Sequence, residues 1–384
     1  EHLLVKYSSI MRLLVLSSKT GGGHEIRAQA IQEFCHSLKV DSLVLRPLED
    51  SSSVYLLGTN IYNWIQRFYP RLHSLYFRLL EYASLHANPK LIIGGNEFQN
   101  KISKFYPSAV ISVHAHLNHG FWDLIRNAMP RRSVPNFMIY CGELDDGIGY
   151  SRHWINPKAN LFCGPTKSTI NAAIKRGMPS NKCRVLGPLL RQPFYREETS
   201  LIKKDFCKKH SLDPNIPIAL LATGANGVNS HEMALKAVAY SKKRMQVVVL
   251  CGRSRKLYKK VEILSHKYEF PINALDQIDA QEMSRLINLS LWVFGRPGAG
   301  LTSEVVSSGT NMIFDVSGGI MPQEYNNLNF FKNQGQPPRV ANNTETLCKH
   351  ICSDFKMPPP KMEMRPEAIK ETILKLVKND GSRD

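Results

Sequence analysis

The sequence predicts an α/β fold of two Rossmann-like, doubly wound domains facing each other across a central cleft. Short apolar runs alternate with helical stretches, the pattern of a parallel sheet wrapped by helices. The alternation pauses near Pro193 and restarts at Ile216. At 384 residues the chain also exceeds what one hydrophobic core usually supports, so two domains are expected.

The first strand is residues 12–16, followed by a glycine turn and a helix over 26–38. Residues 109–113, 136–140, 160–163 and 184–187 read as further buried strands separated by helical stretches. A polar stretch through Glu197, Glu198, Thr199 and Ser200 links this half to the next. There the strands fall at 216–221, 246–251, 291–294 and 311–314. Pro358, Pro359 and Pro360 form a stiff spacer, and Ile369, Ile373, Leu374 and Val377 line one face of a helix over 365–378. The expected division is 1–193, 194–355, and 356–384 as a linker and helix packing back on the body.

Composition narrows the class. With 43% hydrophobic and 21% charged residues the chain reads as a soluble folded enzyme, not a disordered or fibrous one. The net charge of +18 calls for an anionic partner: nucleic acid, a phosphorylated small molecule or an anionic lipid surface. The 8 cysteines form no CxxC pair, which argues against a zinc site or disulfide framework and fits a reducing cytosol. No targeting peptide is legible at Glu1–Lys6, and no apolar window reaches the roughly 18 residues of a membrane span, so membrane association is expected to be peripheral.

Three segments concentrate chemistry. Gly21, Gly22, Gly23 and His24 stand where the first strand turns into a helix, so backbone amides can approach a ligand there. The segment lacks both the GK[ST] ending of a Walker loop and the GxGxxG spacing. His24 suits a general base, while the same residues also suit a plain tight turn with a surface histidine.

In the second half, Gly295, Arg296, Pro297, Gly298, Ala299, Gly300 and Leu301 again lead from strand into helix, and helix amides suit a diphosphate. Glu304, one turn further, can accept hydrogen bonds from two ribose hydroxyls; a solvated glutamate after a glycine turn is the plainer alternative. The third segment holds Gln323, Glu324 and Asn327, which suit sugar hydroxyls or an ordinary polar helix start.

Weaker signals are Thr223 and Gly224 after a strand, and Arg253 at a strand end, as phosphate contacts. Between Val54 and Tyr82, Tyr55, Tyr62, Trp64, Phe68, Tyr69, Tyr76, Phe77 and Tyr82 interleave with Arg67, Arg71 and Arg78. Helix packing, a membrane interface and single-stranded nucleic acid all use such residues. HExxH, GxSxG and DxD are absent, Asp145 and Asp146 being adjacent, so a metal-dependent mechanism is disfavoured.

Taken in order, the glycine-histidine turn, the Arg296-to-Glu304 loop and the Gln323-to-Asn327 cluster resemble the monogalactosyldiacylglycerol synthase and processive diacylglycerol glycosyltransferase family, which is related to the N-acetylglucosaminyltransferase that makes lipid II. The resemblance runs from Met11 to Gly335 and includes Ile111, Ser112, Val113 and His114, similar to the family's ISVHP with Ala115 replacing proline. It implies a GT-B architecture, with an acceptor- and membrane-binding first domain and a UDP-sugar-binding second. His24 would then deprotonate or orient the acceptor hydroxyl, with Gly22, Gly23 and His114 beside it. Glu304 would hold the ribose, Gln323 and Glu324 the sugar, and Asn327 the sugar or phosphates, while Arg296 and helix N-termini stabilise departing UDP. The sequence departs from the family at Arg296-Pro297-Gly298, where Lys-Ala-Gly is common, and at Gly142-Glu143-Leu144, where Thr-Asp-Leu is typical. His114 and Glu143 rank below His24 as catalytic candidates.

The implied activity is an inverting, metal-independent transfer of galactose or glucose from a UDP-sugar to diacylglycerol at the cytoplasmic face of a membrane. No cofactor is expected, UDP-sugar being a substrate; the expected partners are diacylglycerol or a related lipid and an anionic membrane surface, without nucleic acid. Transfer of N-acetylglucosamine, epimerisation of a UDP-sugar on the same fold, and nucleic-acid binding stand as alternatives.

Overall fold

A computed structural model describes residues 11–20, 22–50, 57–58, 61, 64, 81, 87–196, 200–222, 230–353, 355 and 357–378. The chain divides into two compact units. One contains Glu1–Asn63, Leu75–Arg191 and Met364–Asp384; the other contains Trp64–Ser74 and Gln192–Glu363.

The first unit is a parallel six-stranded sheet in the order β2-β1-β3-β4-β5-β6. Its strands are β1 (Arg12–Leu16), β2 (Asp41–Leu45), β3 (Ala109–Ser112), β4 (Asn136–Tyr140), β5 (Leu161–Gly164) and β6 (Cys183–Val185). Leu13 to Leu16 are fully enclosed, as a central strand covered on both faces requires. The helix Gly22–Ser37 turns Ala28, Ala30, Ile31, Phe34 and Cys35 inward. On the sheet, Trp122 stacks on Phe137 with ring centroids 4.3 Å apart.

The helix Pro366–Val377 packs on β4 and on the helix Gly22–Ser37, burying Ile369, Ile373, Leu376 and Val377. Asn136 Nδ2 donates to the Leu376 carbonyl at 2.9 Å. The end of the described chain is thus part of the first unit.

The second unit repeats the design with order β12-β11-β10-β7-β8-β9. The strands are β7 (Ile218–Leu221), β8 (Gln246–Gly252), β9 (Ile272–Asp276), β10 (Ser290–Gly295), β11 (Asn311–Asp315) and β12 (Arg339–Ala341), all parallel. Trp292 and Phe294 of β10 are fully enclosed. Gly295 is required where β10 ends: a Cβ there would stand 2.4 Å from the Ala222 carbonyl oxygen and 2.6 Å from Leu301 Cδ2.

Three strands went unanticipated: β2, β9 and β12. Each lies at a sheet edge. Edge strands pair on one side only and are half-covered, so their sequences lack the continuous apolar run of central strands. The first helix begins at Gly22, not Ile26, which puts His24 in its first turn. Of the aromatic and basic segment, Tyr55, Tyr62, Phe68, Tyr69, Tyr76, Phe77, Tyr82 and the three arginines lie outside the described residues; Trp64 lies within them and is 52% exposed.

Candidate active site

Open parallel sheets bind ligands beyond the carboxyl ends of their strands, where the strand order reverses. In the first unit the reversal falls between β1 and β3, since β1 leads to β2 on one side while β3 lies on the other. The connections leaving β1 and β3 carry His24 and His114, and there the two rings meet edge to face, centroids 4.5 Å apart.

His24 Nδ1 lies 2.7 Å from the Val113 carbonyl oxygen. A carbonyl only accepts, so Nδ1 carries the hydrogen and the neutral ring presents Nε2 as a lone pair. Burial, reinforced by the positive charge of Arg27 and opposed by the Val113 bond, pushes the His24 pKa down to about 3. At neutral pH the imidazole is therefore uncharged, with the tautomer of a proton acceptor. His24 is nonetheless only half-buried.

Neighbouring side chains fix the turn before His24. Ser18 Oγ and the Lys19 amide both donate to Glu49 Oε1, at 2.7 and 2.8 Å. Thr20 Oγ1 pairs with His114 Nε2 at 3.1 Å. One turn into the helix, Glu25 takes two hydrogen bonds from Arg46, at 2.6 and 2.9 Å. Side chains after β1, β2 and β3 thus form one hydrogen-bonded edge.

Gly22 is exposed, and a Cβ on it would meet nothing within 4 Å; Gly23 is half-buried. The fold itself does not demand a glycine at 22, whose small size leaves the helix end uncovered. From His114 the imidazoles continue: His114 to His116 at 5.7 Å and His116 to His153 at 4.7 Å between centroids.

The second unit reverses between β7 and β10. Gly298 caps the helix Ala299–Ser307, and a Cβ at Gly298 would likewise meet nothing within 4 Å. Ala299, Gly300 and Leu301 are half-buried in the first turn, with helix amides that suit an anion. Glu304 is 1% exposed, a carboxylate inside the unit and not the solvated residue of the plainer reading. Thr223 and Gly224, which follow β7 in the sequence, lie outside the described residues.

Arg296 and Glu324 hold each other. Arg296 Nε donates to Oε1 at 2.9 Å and an Nη to Oε2 at 2.6 Å, and Oε2 also accepts the Met321 amide at 2.8 Å. Glu324 thereby closes a capping box on the helix Pro322–Asn333. Burial pushes its pKa above the ordinary value against the pull of Arg296 and the Met321 amide. Asn327 Nδ2 donates to the Pro297 carbonyl at 2.6 Å, and Arg296 reaches the Gly319 carbonyl at 3.1 Å. The sequence treated the glycine loop and the amide cluster as separate; the structure joins them. Arg296 and Glu324, expected on UDP and on sugar hydroxyls, engage each other first, and Gln323 stands half-buried beside them on the helix.

Arg253 is exposed and bonded to Gln277 at 2.8 Å, in a connection on the far side of β7 from β10. Asp146 pairs with Arg176 at 2.6 Å, and Asp145 accepts from Ser168 and the Asp146 amide. Among the described residues no three His, Cys, Asp or Glu side chains gather as a metal set, and no helix is long and apolar enough to cross a membrane.

Sequence reasoning missed Arg27 and Glu49. Arg27 lies three residues after His24 on a helix, a spacing that places both on one face. Nothing local in the sequence marks Glu49, which acts across 30 positions on Lys19.

No family model matches the chain. Its sequence is 25% identical over 347 residues to a probable monogalactosyldiacylglycerol synthase 3, chloroplastic, of Oryza sativa subsp. japonica, covering 84% of this chain and 64% of the rice protein. It is 21% identical over 353 residues to a processive diacylglycerol beta-glucosyltransferase of Bacillus licheniformis, covering 89% of this chain and 86% of that protein. The chain spans less than two thirds of the length of the first plant relatives it matches. The crystal structure of MurG from Acinetobacter baumannii matches with a TM-score of 0.52 at 12% identity, over 96% of this chain and 95% of that one. The fold is thus two-domain α/β of the GT-B type, and the relatives agree with the resemblance carried by the three motifs.

Proposed function

We propose that this chain is a glycosyltransferase that moves a hexose, galactose or glucose, from a UDP-sugar to diacylglycerol. The observation that carries the reading is His24: a half-buried, neutral imidazole whose Nδ1–H is held by the Val113 carbonyl, leaving Nε2 as acceptor at the strand-order reversal of the first sheet. Similarity to relatives named for diacylglycerol transfer supports the lipid acceptor.

In this reading Nε2 takes the proton of the acceptor hydroxyl as its oxygen attacks the sugar's anomeric carbon. The bond from that carbon to the UDP oxygen breaks, with inversion and without a metal. The helix Ala299–Ser307 offers its N-terminal amides to the diphosphate, and Glu304 binds the ribose. Gln323 and Asn327 read the sugar and phosphates, while Glu324 orders Arg296 and the glycine loop against them. Diacylglycerol lies in a bilayer, so the enzyme works at a membrane surface, for which the +18 charge suits anionic lipid.

The test incubates the chain with diacylglycerol vesicles and a panel of radiolabelled UDP-sugars. Glycolipid from UDP-galactose or UDP-glucose is expected. Free UDP without glycolipid, an isomerised UDP-sugar, or no product with any UDP-hexose overturns the reading.

A further inference from the structure

We propose that Arg27 is a positioning residue for His24: its guanidinium pins the Gly142 carbonyl to the first helix and keeps a fixed positive charge beside the imidazole, so that Nε2 stays free of a proton further into acid than burial alone would hold it. The proposal rests on the reading of His24 as the base.

Arg27 is 7% exposed, and an Nη donates to the Gly142 carbonyl at 2.9 Å. Among the described residues it makes no ion pair. A buried guanidinium without a carboxylate is costly, since desolvation of a charge is ordinarily offset by a partner. Gly142 makes its place: a Cβ there would stand 1.9 Å from Arg27 Cζ and 2.2 Å from an Nη. The departure at Gly142 from the threonine of the resembled family follows, because a threonine side chain would occupy the guanidinium's position.

Three other charged or titratable groups around the first helical turn, Glu25, Glu49 and His114, are bonded to other partners. Glu25, on the same helix, is bonded to Arg46, and Glu49, after β2, to Ser18 and the Lys19 amide. His114, after β3, pairs with Thr20. Cys141 and Glu143 flank Gly142 after β4, and burial keeps the Cys141 thiol protonated. Arg27 is the charged side chain that, with burial, lowers the His24 pKa. The i, i+3 spacing holds that charge at constant distance, and the Gly142 bond keeps it from swinging to solvent. A plain structural clamp would hold the loop equally well without touching the proton affinity of His24, so the two roles separate experimentally.

The experiment follows His24 in the full chain by NMR of nitrogen-15-labelled histidine, its signal assigned with His24→Gln. In parallel, kcat/KM for glycolipid formation is measured against pH in wild type, Arg27→Met and Arg27→Lys. In wild type the Nδ1–H tautomer should persist down to about pH 4. In Arg27→Met the midpoint should rise by about one unit or more, and the acid limb of kcat/KM with it, while UDP affinity stays within about twofold. Arg27→Lys, which keeps the charge, should remain near wild type in midpoint. An unmoved midpoint and acid limb in folded Arg27→Met would overturn the proposal. If Arg27→Met does not fold, Gly142→Ala displaces the guanidinium instead and is read in the same way. Absence of transfer in wild type would sink the proposed activity, while the titration alone still decides whether Arg27 governs His24.

Discussion

Arg296 and Glu324 form a buried, two-bond ion pair, their side chains 10% and 2% exposed, that ties the glycine loop after β10 to the helix Pro322–Asn333. Removing one partner strands the other's charge. Glu324→Leu is expected to destabilise the second unit by about 3–5 kcal/mol in urea unfolding, and Arg296→Met combined with Glu324→Leu to recover much of that loss. Equal loss in the single and double variants would show that the pair acts through packing.

His24→Ala should lower kcat for glycolipid formation by about 10²–10⁴-fold, the usual worth of a general base, with UDP affinity unchanged in calorimetry. Turnover within tenfold of wild type would remove His24 from the role of base.

Glu304→Ala should weaken UDP binding by about tenfold or more, the scale of one charge-assisted hydrogen bond, and leave uridine-free diphosphate binding alone. An unchanged UDP affinity would mean that this enclosed carboxylate holds the helix and not the ribose.

His231, 3% exposed, is pushed down to about 4 by burial, with Asp315 opposing. An unfolded histidine titrates near 6.5, so between about pH 4 and 6.5 the unfolded chain binds more protons than the folded one. Stability contributed by this group is therefore complete above 6.5 and falls as pH drops through the window. Urea unfolding at several pH values should show that slope, and His231→Gln should lessen it, leaving the share that His24 contributes over the same window. A steeper slope in the variant would contradict the assignment.

The central strands were legible because burial on both faces demands continuous apolar runs, as in Leu13 to Leu16 and in Val247 to Val249. Three of the four edges were not, since strands such as Asp41 to Leu45 and Ile272 to Asp276 have one open side and read as ordinary mixed sequence. The glycine turns were legible at the right strand ends. What they hold was less so. That Glu324 binds Arg296 across 28 positions, or that Arg27 lies under Gly142 across 115, depends on which strands neighbour one another, and local pattern carries no such information.

The helix Pro366–Val377 joins Asn136 to Leu376 across 240 positions of sequence. During synthesis, therefore, the sheet bearing His24 emerges long before the helix that covers β4, while both pieces of the second unit, Trp64–Ser74 and Gln192–Glu363, precede that helix. The order in which the units are complete thus runs opposite to the order in which they begin: the second has its pieces first, and the first waits for the helix Pro366–Val377.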